Sequence, residues 1–259
     1  MEFIDTHTHL YATEFDSDRQ MVVERAISSG VSYMLLPNID SHTVEDMLRL
    51  CKIFPEHCLP MIGLHPTSVN EEYQKELAIV EACLPDKRFI AIGEIGIDLY
   101  WDKTFLKQQL AAFSFQIELA RKHSLPLVIH CRESFDEVIT IVREKFNGDE
   151  YSGVFHSFPG TAEQAKQVID FGFKIGINGV VTFKKSGQRE VVEATPLEYI
   201  ILETDAPYLT PVPYRGKRNE SSYLTYIAQQ IADIKNVSVA EVAKTTTNTA
   251  RNLFKLGLQ

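Results

Sequence analysis

Cysteine is scarce in this chain and poorly spaced for chemistry. The four present, Cys51, Cys58, Cys83 and Cys131, form no C-x-x-C pair and no zinc-ribbon spacing, so free thiols in a reducing compartment are expected. Long apolar runs are missing as well. None approaches the roughly 20 residues a membrane helix requires, and the first residues do not resemble a signal peptide. A soluble, cytoplasmic protein without membrane contact is the expectation. Positive charge is also short, with 26 Lys and Arg against 35 Asp and Glu and a formal net charge of −9. That balance excludes nucleic-acid binding through a broad basic face. Any phosphate-bearing ligand must be held locally, by a metal or a small basic loop. Nor is there a Pro/Gly/Ser-rich linker or a low-complexity tract, so residues 1–259 read as a single domain.

What the chain does contain is an alternation of short β-branched or apolar runs with longer helical patterns, the mark of a parallel α/β sheet. The strand candidates are Glu2 to Thr6, Ser32 to Leu36, Leu59 to Gly63, Phe89 to Gly93, Leu127 to Ile129, Gly153 to Phe155, Lys174 to Ile177 and Tyr199 to Leu202. Between and after them, helical periodicity covers Asp18 to Ser29, Val44 to Phe54, Glu71 to Leu84, Lys103 to His123, Phe135 to Phe146, Ala162 to Phe171, Glu190 to Ala194, Tyr223 to Lys235 and Val239 to Leu256. Thr161 to Gln164 and Ser238 to Glu241 fit capping boxes, while Gly30 and Gly172 stand where helices should end. Eight β/α repeats in about 250 residues predict a (β/α)8 TIM barrel ahead of an open doubly wound sheet.

In such a barrel, reactive residues belong at the carboxyl ends of strands. His7 and His9 follow the first strand two residues apart and so share a face. Glu94 follows the fourth, His130 the fifth, His156 the sixth, and Glu203 and Asp205 the eighth. Each of these alone could be a core histidine, a cap or a surface carboxylate. Together, His7, His9, Glu94, His130, His156 and Asp205 exceed the four or five positions around one ion, so two divalent ions are the more natural count. Strand alternation turns Cys131 away from His130, as a packing residue.

The pattern resembles the TatD family of metal-dependent deoxyribonucleases, within the wider amidohydrolase-like barrels. The residues that carry the resemblance are Asp5-Thr-His-Thr-His-Leu10, Gly63-Leu-His-Pro66, Gly93-Glu-Ile-Gly-Ile-Asp98, Ile129-His-Cys-Arg132, Phe155-His-Ser-Phe158, Glu203-Thr-Asp-Ala-Pro-Tyr-Leu209 and Pro213-Tyr-Arg-Gly-Lys-Arg-Asn-Glu220. It implies that His7, His9 and Asp205 hold one ion and His130 and His156 the other, with Glu94 shared. It also implies DNA trimmed from a 3′ end, commonly with Mg²⁺. The chain departs from the family pattern at Ser157, Pro159 and Ser221, none of them a ligand position.

Two ions about 3.5 to 4 Å apart acidify a water and stabilise both oxygens of an in-line displacement at phosphorus. Asp205 is the expected proton acceptor, with Glu94 bridging. His65, at the end of the third strand, is expected to donate to a phosphate oxygen or to the leaving alkoxide. Glu203 fits either a partner of a ligating histidine or a core salt bridge. His42, His57 and His123 lie in loop or helix-end contexts. Arg215, Lys217 and Arg218 form a short basic loop after the eighth strand and Arg132 shares the face of His130, which makes these four the expected phosphate contacts. Tyr100-Trp101 fits either a stacking surface for a base of a single strand or a cover over the barrel mouth. Imidazole-rich ligation favours Zn²⁺ or Mn²⁺, whereas Mg²⁺ prefers oxygen, so the ion stays open. DNA, single-stranded or at 3′ ends, is the expected substrate, and no sequence feature calls for an obligate protein partner. Two rivals share the metal centre: an amide or ester hydrolase, including an aminoacyl-tRNA deacylase, and a non-catalytic metal-binding module.

Overall fold

The structure, a computed structural model, describes residues 1–146 and 152–257. Parallel strands β1 (Phe3–Asp5), β2 (Val31–Pro37) and β3 (Cys58–Met61) pair in that order. So do β4 (Ile92–Asp98), β5 (Leu127–Arg132), β6 (Gly153–Phe155), β7 (Lys174–Ile177) and β8 (Ile200–Leu202). A bridge between Ile62 and Ile92 joins the two arcs on one side. On the other, Thr6 N–H donates to the Leu202 carbonyl at 3.0 Å and closes the ring. Parallel neighbours require crossover connections, and helices supply them: α1 (Arg19–Ser28), α2 (Ser41–Ile53), α3 (Tyr73–Cys83), α4 (Leu106–His123), α5 (Phe135–Lys145), α6 (Ala162–Asp170) and α7 (Gln188–Ala194). α8 (Leu224–Lys235) and α9 (Val239–Phe254) follow β8. The fold is the expected TIM barrel. No helix among the described residues is long and apolar enough to cross a membrane.

Local chemistry accounts for several of the boundaries. Thr161 and Gln164 form a reciprocal capping box at α6, and the Ser238 side chain accepts the Glu241 N–H at α9. Gly30 and Gly172 follow their helices with φ of +92° and +88°. α2 begins at Ser41, three residues before the expected start. There the Asp40 side chain accepts the His42 N–H, and Thr43 Oγ1 accepts the Asp40 N–H; with Thr in place of Glu or Gln, this box is harder to see in sequence.

The larger correction is β4, expected at Phe89 to Gly93 but running Ile92–Asp98. Its register slips between Ile92 and Ile95, after which it pairs with β5 as far as Asp98 against Arg132. Gly96 permits this, because a Cβ there would lie 2.0 Å from the His130 carbonyl oxygen. Glu94 and His130 therefore sit within strands rather than beyond them.

The core has two layers that follow the period of two along the strands. Phe3, Ile129, Phe155 and Ile200 join the outer layer beneath the helices. Ile4, Leu35, Met61, Ala91, Val128, Val154 and Ile201 meet one another inside the barrel. Ala250, Leu253, Phe254 and Leu256, from α9 and the turn after it, pack onto this inner layer and close the amino-terminal end. The same alternation sends His130, two residues past Val128, and His156, two past Val154, inward at the other end.

Candidate metal centre

Glu94 lies at the centre of the constellation. Its Oε2 is 3.0 Å from His7 Nε2, and its Oε1 is 2.7 Å from His130 Nδ1, 3.3 Å from His65 Nε2 and 3.7 Å from His156 Nε2. Asp205 Oδ1 lies 3.5 Å from His9 Nε2, which is itself 3.3 Å from His7 Nε2. Three sets of donor atoms fall within 4.8 Å of one another: His7, His9 and Asp205; His7, Glu94 and His156; His65, Glu94 and His130. The six expected ligands thus converge at one end of the barrel, and His65 joins them. Asp205 reaches its position from a left-handed backbone, φ +56°, that Asp tolerates better than most residues. Its N–H donates to the His7 carbonyl at 2.9 Å, tying β8 to the His7 loop.

Hydrogen bonds behind the imidazoles decide which nitrogen carries a lone pair. Tyr11 Oη donates its only proton to the Pro37 carbonyl at 2.6 Å. It must then accept from His9 Nδ1, 2.9 Å away, so that in the neutral ring the lone pair is on Nε2, toward Asp205. Asp98 Oδ2 contacts His130 Nε2 at 2.8 Å and turns Nδ1 toward Glu94. Glu203 Oε1 accepts the Ser157 N–H at 2.6 Å and stands at ion-pair distance, 3.1 Å, from His156 Nδ1. A Cβ on Gly176 would come within 2.3 Å of Glu203 Oε2, so that position must be glycine for the carboxylate to fit. His65 is wired the opposite way. The Thr67 backbone N–H donates to its Nδ1 at 3.1 Å, so the proton of neutral His65 is on Nε2, facing Glu94 as a donor rather than as a ligand.

The charges make this constellation one that could hold cations. Burial by itself would raise the Glu94 pKa, but His65, His7, His156 and His130 outweigh it and hold the carboxylate well below its ordinary range. Asp205 is lowered in the same way, against its burial, by His9, His156 and His7. Burial opposes protonation of His156, yet Glu203, Glu94 and Asp205 push its pKa up to about 10. Buried carboxylates that draw protons onto imidazoles suit divalent ions better still. Mixed imidazole and carboxylate donors are a set that Zn²⁺ and Mn²⁺ accept. Among the described residues, the buried His7 Nδ1 has no hydrogen-bond partner.

A sequence profile described as TatD related DNase matches residues 4–255. The chain belongs to the TatD family. It is 36% identical over 253 residues to the "Uncharacterized metal-dependent hydrolase YabD" of Bacillus subtilis, covering 97% of this chain and 98% of that protein. It is 33% identical over 258 residues to the "3'-5' ssDNA/RNA exonuclease TatD" of Erwinia tasmaniensis, covering 97% and 99%. The crystal structure of the Escherichia coli TatD homologue YjjV superposes with a TM-score of 0.89 at 26% identity over 98% of both chains. Membership makes this chain a metal-dependent hydrolase of the TatD family.

Beyond the centre, the expected phosphate contacts divide. The Arg132 guanidinium lies 3.7 Å over the Tyr100 ring, Arg215 lies 4.4 Å over Phe183, and Lys217 Nζ is 5.8 Å from the Tyr214 ring. None of these three pairs with a carboxylate among the described residues. Arg218 is committed elsewhere: it donates to Asp18 at 2.8 and 2.7 Å and to the Glu14 carbonyl at 2.7 Å. It braces the loop after β8 against the segment before α1, a long-range pairing that a run of cations does not reveal. Cys131 is buried and packed, as expected. The TatD pattern in sequence singled out neither Asp98 nor Tyr11 for a role. The signal for Asp98 was its place four residues after Glu94 on one face of β4; for Tyr11, only its place two residues after His9.

Proposed function

We propose that this protein hydrolyses phosphodiester bonds of DNA, single-stranded or at 3′ ends, and removes nucleotides in the 3′ to 5′ direction. The observation that carries the reading is its 33% identity, over nearly the full length of both chains, with proteins named as 3′-5′ exonucleases of single-stranded DNA and RNA. Three cations without carboxylate partners, on the loops and strand ends of an acidic barrel, support it. His7, His9 and Asp205 would hold one divalent ion and His130 and His156 a second, with Glu94 shared. Bound Mg²⁺, Mn²⁺ or Zn²⁺ would supply an acidified water and offset charge at phosphorus.

The chain's own groups divide the remaining work. Asp205, ionised and open to the barrel mouth, accepts the proton of the attacking water. His65 presents its Nε2–H to a phosphate oxygen or to the leaving alkoxide. Arg132, Arg215 and Lys217 hold the backbone phosphates, and Glu203 and Asp98 fix the rings of His156 and His130.

The test is release of labelled nucleotide from a 3′-labelled single strand by metal-stripped protein resupplied with each ion, wild type beside Asp205→Asn. Metal-dependent release that falls by at least about a hundredfold in the variant is expected, the scale of losing a positioned proton acceptor. No release with any ion, from protein that binds two, would move the reaction to an ester or amide.

A further inference from the structure

The loop after β4 carries two aromatic side chains that the hydrolytic centre does not use. Trp101 is 70% exposed and Tyr100 49%, whereas Phe3, Phe15, Phe113, Phe155, Phe158 and Phe173 are wholly buried. The backbone that carries these exposed rings is nonetheless held in place. Asp98 Oδ1 accepts the N–H groups of both Tyr100 and Trp101 at 3.0 and 3.2 Å, and its other oxygen contacts His130 Nε2. One carboxylate therefore ties the exposed rings to the reacting centre. Tyr100 and Trp101 meet edge to face at 4.9 Å, and the Arg132 guanidinium stacks on Tyr100, 5.4 Å from the Trp101 ring.

Beside Trp101 opens a cleft of about 210 Å³, walled by Phe105, Pro66 and Val69 and edged by Asp98, Asp102 and Asn70. Two carboxylates and the lack of a cation in its lining repel a phosphate, while the exposed Asp102 suits the exocyclic N–H groups of a base. The cation stands on the other side, at Arg132. In the ring of strands β4 lies across the mouth from β8, whose loop carries Arg215 and Lys217.

We propose that Trp101 and Tyr100, flanked by Arg132 and this cleft, form a stacking site for one nucleobase of an unpaired strand whose phosphates run across the barrel mouth. The assignment takes its substrate class from the phosphodiester reading above. It makes the protein select single strands, because a base in a duplex has no free face to offer a ring.

Trp101 is the only tryptophan in the chain, so its fluorescence reports the site directly. The metal-loaded protein is mixed rapidly with a single-stranded oligodeoxyadenylate, whose bases carry an exocyclic amino group, and, separately, with inorganic polyphosphate, and the first phase is read before turnover. Quenching by the oligonucleotide alone is expected; equal quenching by both, or none by either, overturns the stacking site. In steady state, Trp101→Ala should raise KM for the oligonucleotide by about fivefold to 150-fold, the range of one stacked base, with most of it recovered in Trp101→Phe. Turnover with KM unmoved in Trp101→Ala would overturn the stacking site and leave the phosphodiester reading standing. Selective quenching without cleavage would overturn that reading and support the stacking site.

Discussion

The imidazoles of the centre are alike in chemistry and differ only in what stands behind each. His9 and His65 show the contrast most clearly: a tyrosine hydroxyl accepts from one outer nitrogen, while a backbone N–H donates to the other. A lone pair faces inward in the first case and a proton in the second. Tyr11→Phe removes the acceptor behind His9 and frees its tautomer. Metal affinity should fall by about tenfold to a hundredfold, the usual loss when the partner of a ligating histidine is removed. A metal-buffered titration reads that change directly. The lost bond to Pro37 should cost about 1 kcal/mol of stability, measured by urea unfolding of the metal-free protein.

Among elements, the loop after β8 and helix α1 depend on each other. Arg25 donates to Glu220 at 3.0 and 2.6 Å, Arg218 donates to Asp18, and Ser222 donates to Glu220 as well. Burial would raise the Glu220 pKa, but Arg25, Ser222 and Arg218 outweigh it, and the carboxyl lies below its ordinary 4.5. A depressed acid stabilises the fold above its unfolded pKa, and the contribution disappears as pH falls through the folded value. Arg25 is half exposed, so solvent screening leaves about 1 kcal/mol of the pairing. Glu220→Gln should therefore lower the melting temperature at pH 7, and the gap to wild type should begin to narrow as pH falls below about 4.3, the unfolded-state value, and close as pH passes the lower folded value. A gap that stays constant from pH 7 to pH 3 would show that the pair does not brace the loop.

At the scale of the whole molecule, one end of the barrel is sealed for stability and the other is left polar. α9 does the sealing, with Phe254 and Leu253 against Ile4, Val128 and Ile201. Phe254→Ala should cost about 3 to 5 kcal/mol, seen as a lower urea midpoint, with metal binding retained in the folded fraction because the cavity lies at the far end. The barrel itself was legible in the sequence because strand and helix signals are local, and the eight short apolar or β-branched runs alternate with helical patterns along the chain. The converging donors were legible for a related reason: once strands are parallel, every strand end faces the same way, so His7, Glu94, His130, His156 and Asp205 had to meet. The sequence by itself therefore determined the fold class and which side chains would gather at one end of the barrel. Tertiary structure alone decided how far β4 extends, since the stretch to Asp98 is held by pairing with β5 and by the missing side chain of Gly96. It alone placed a donor or an acceptor behind each imidazole, and it alone took Arg218 out of the basic loop and gave it to Asp18, 200 residues away in the chain. Periodicity is a property of neighbours along the chain, whereas tautomers and ion pairs are set by groups that only folding brings within hydrogen-bond reach.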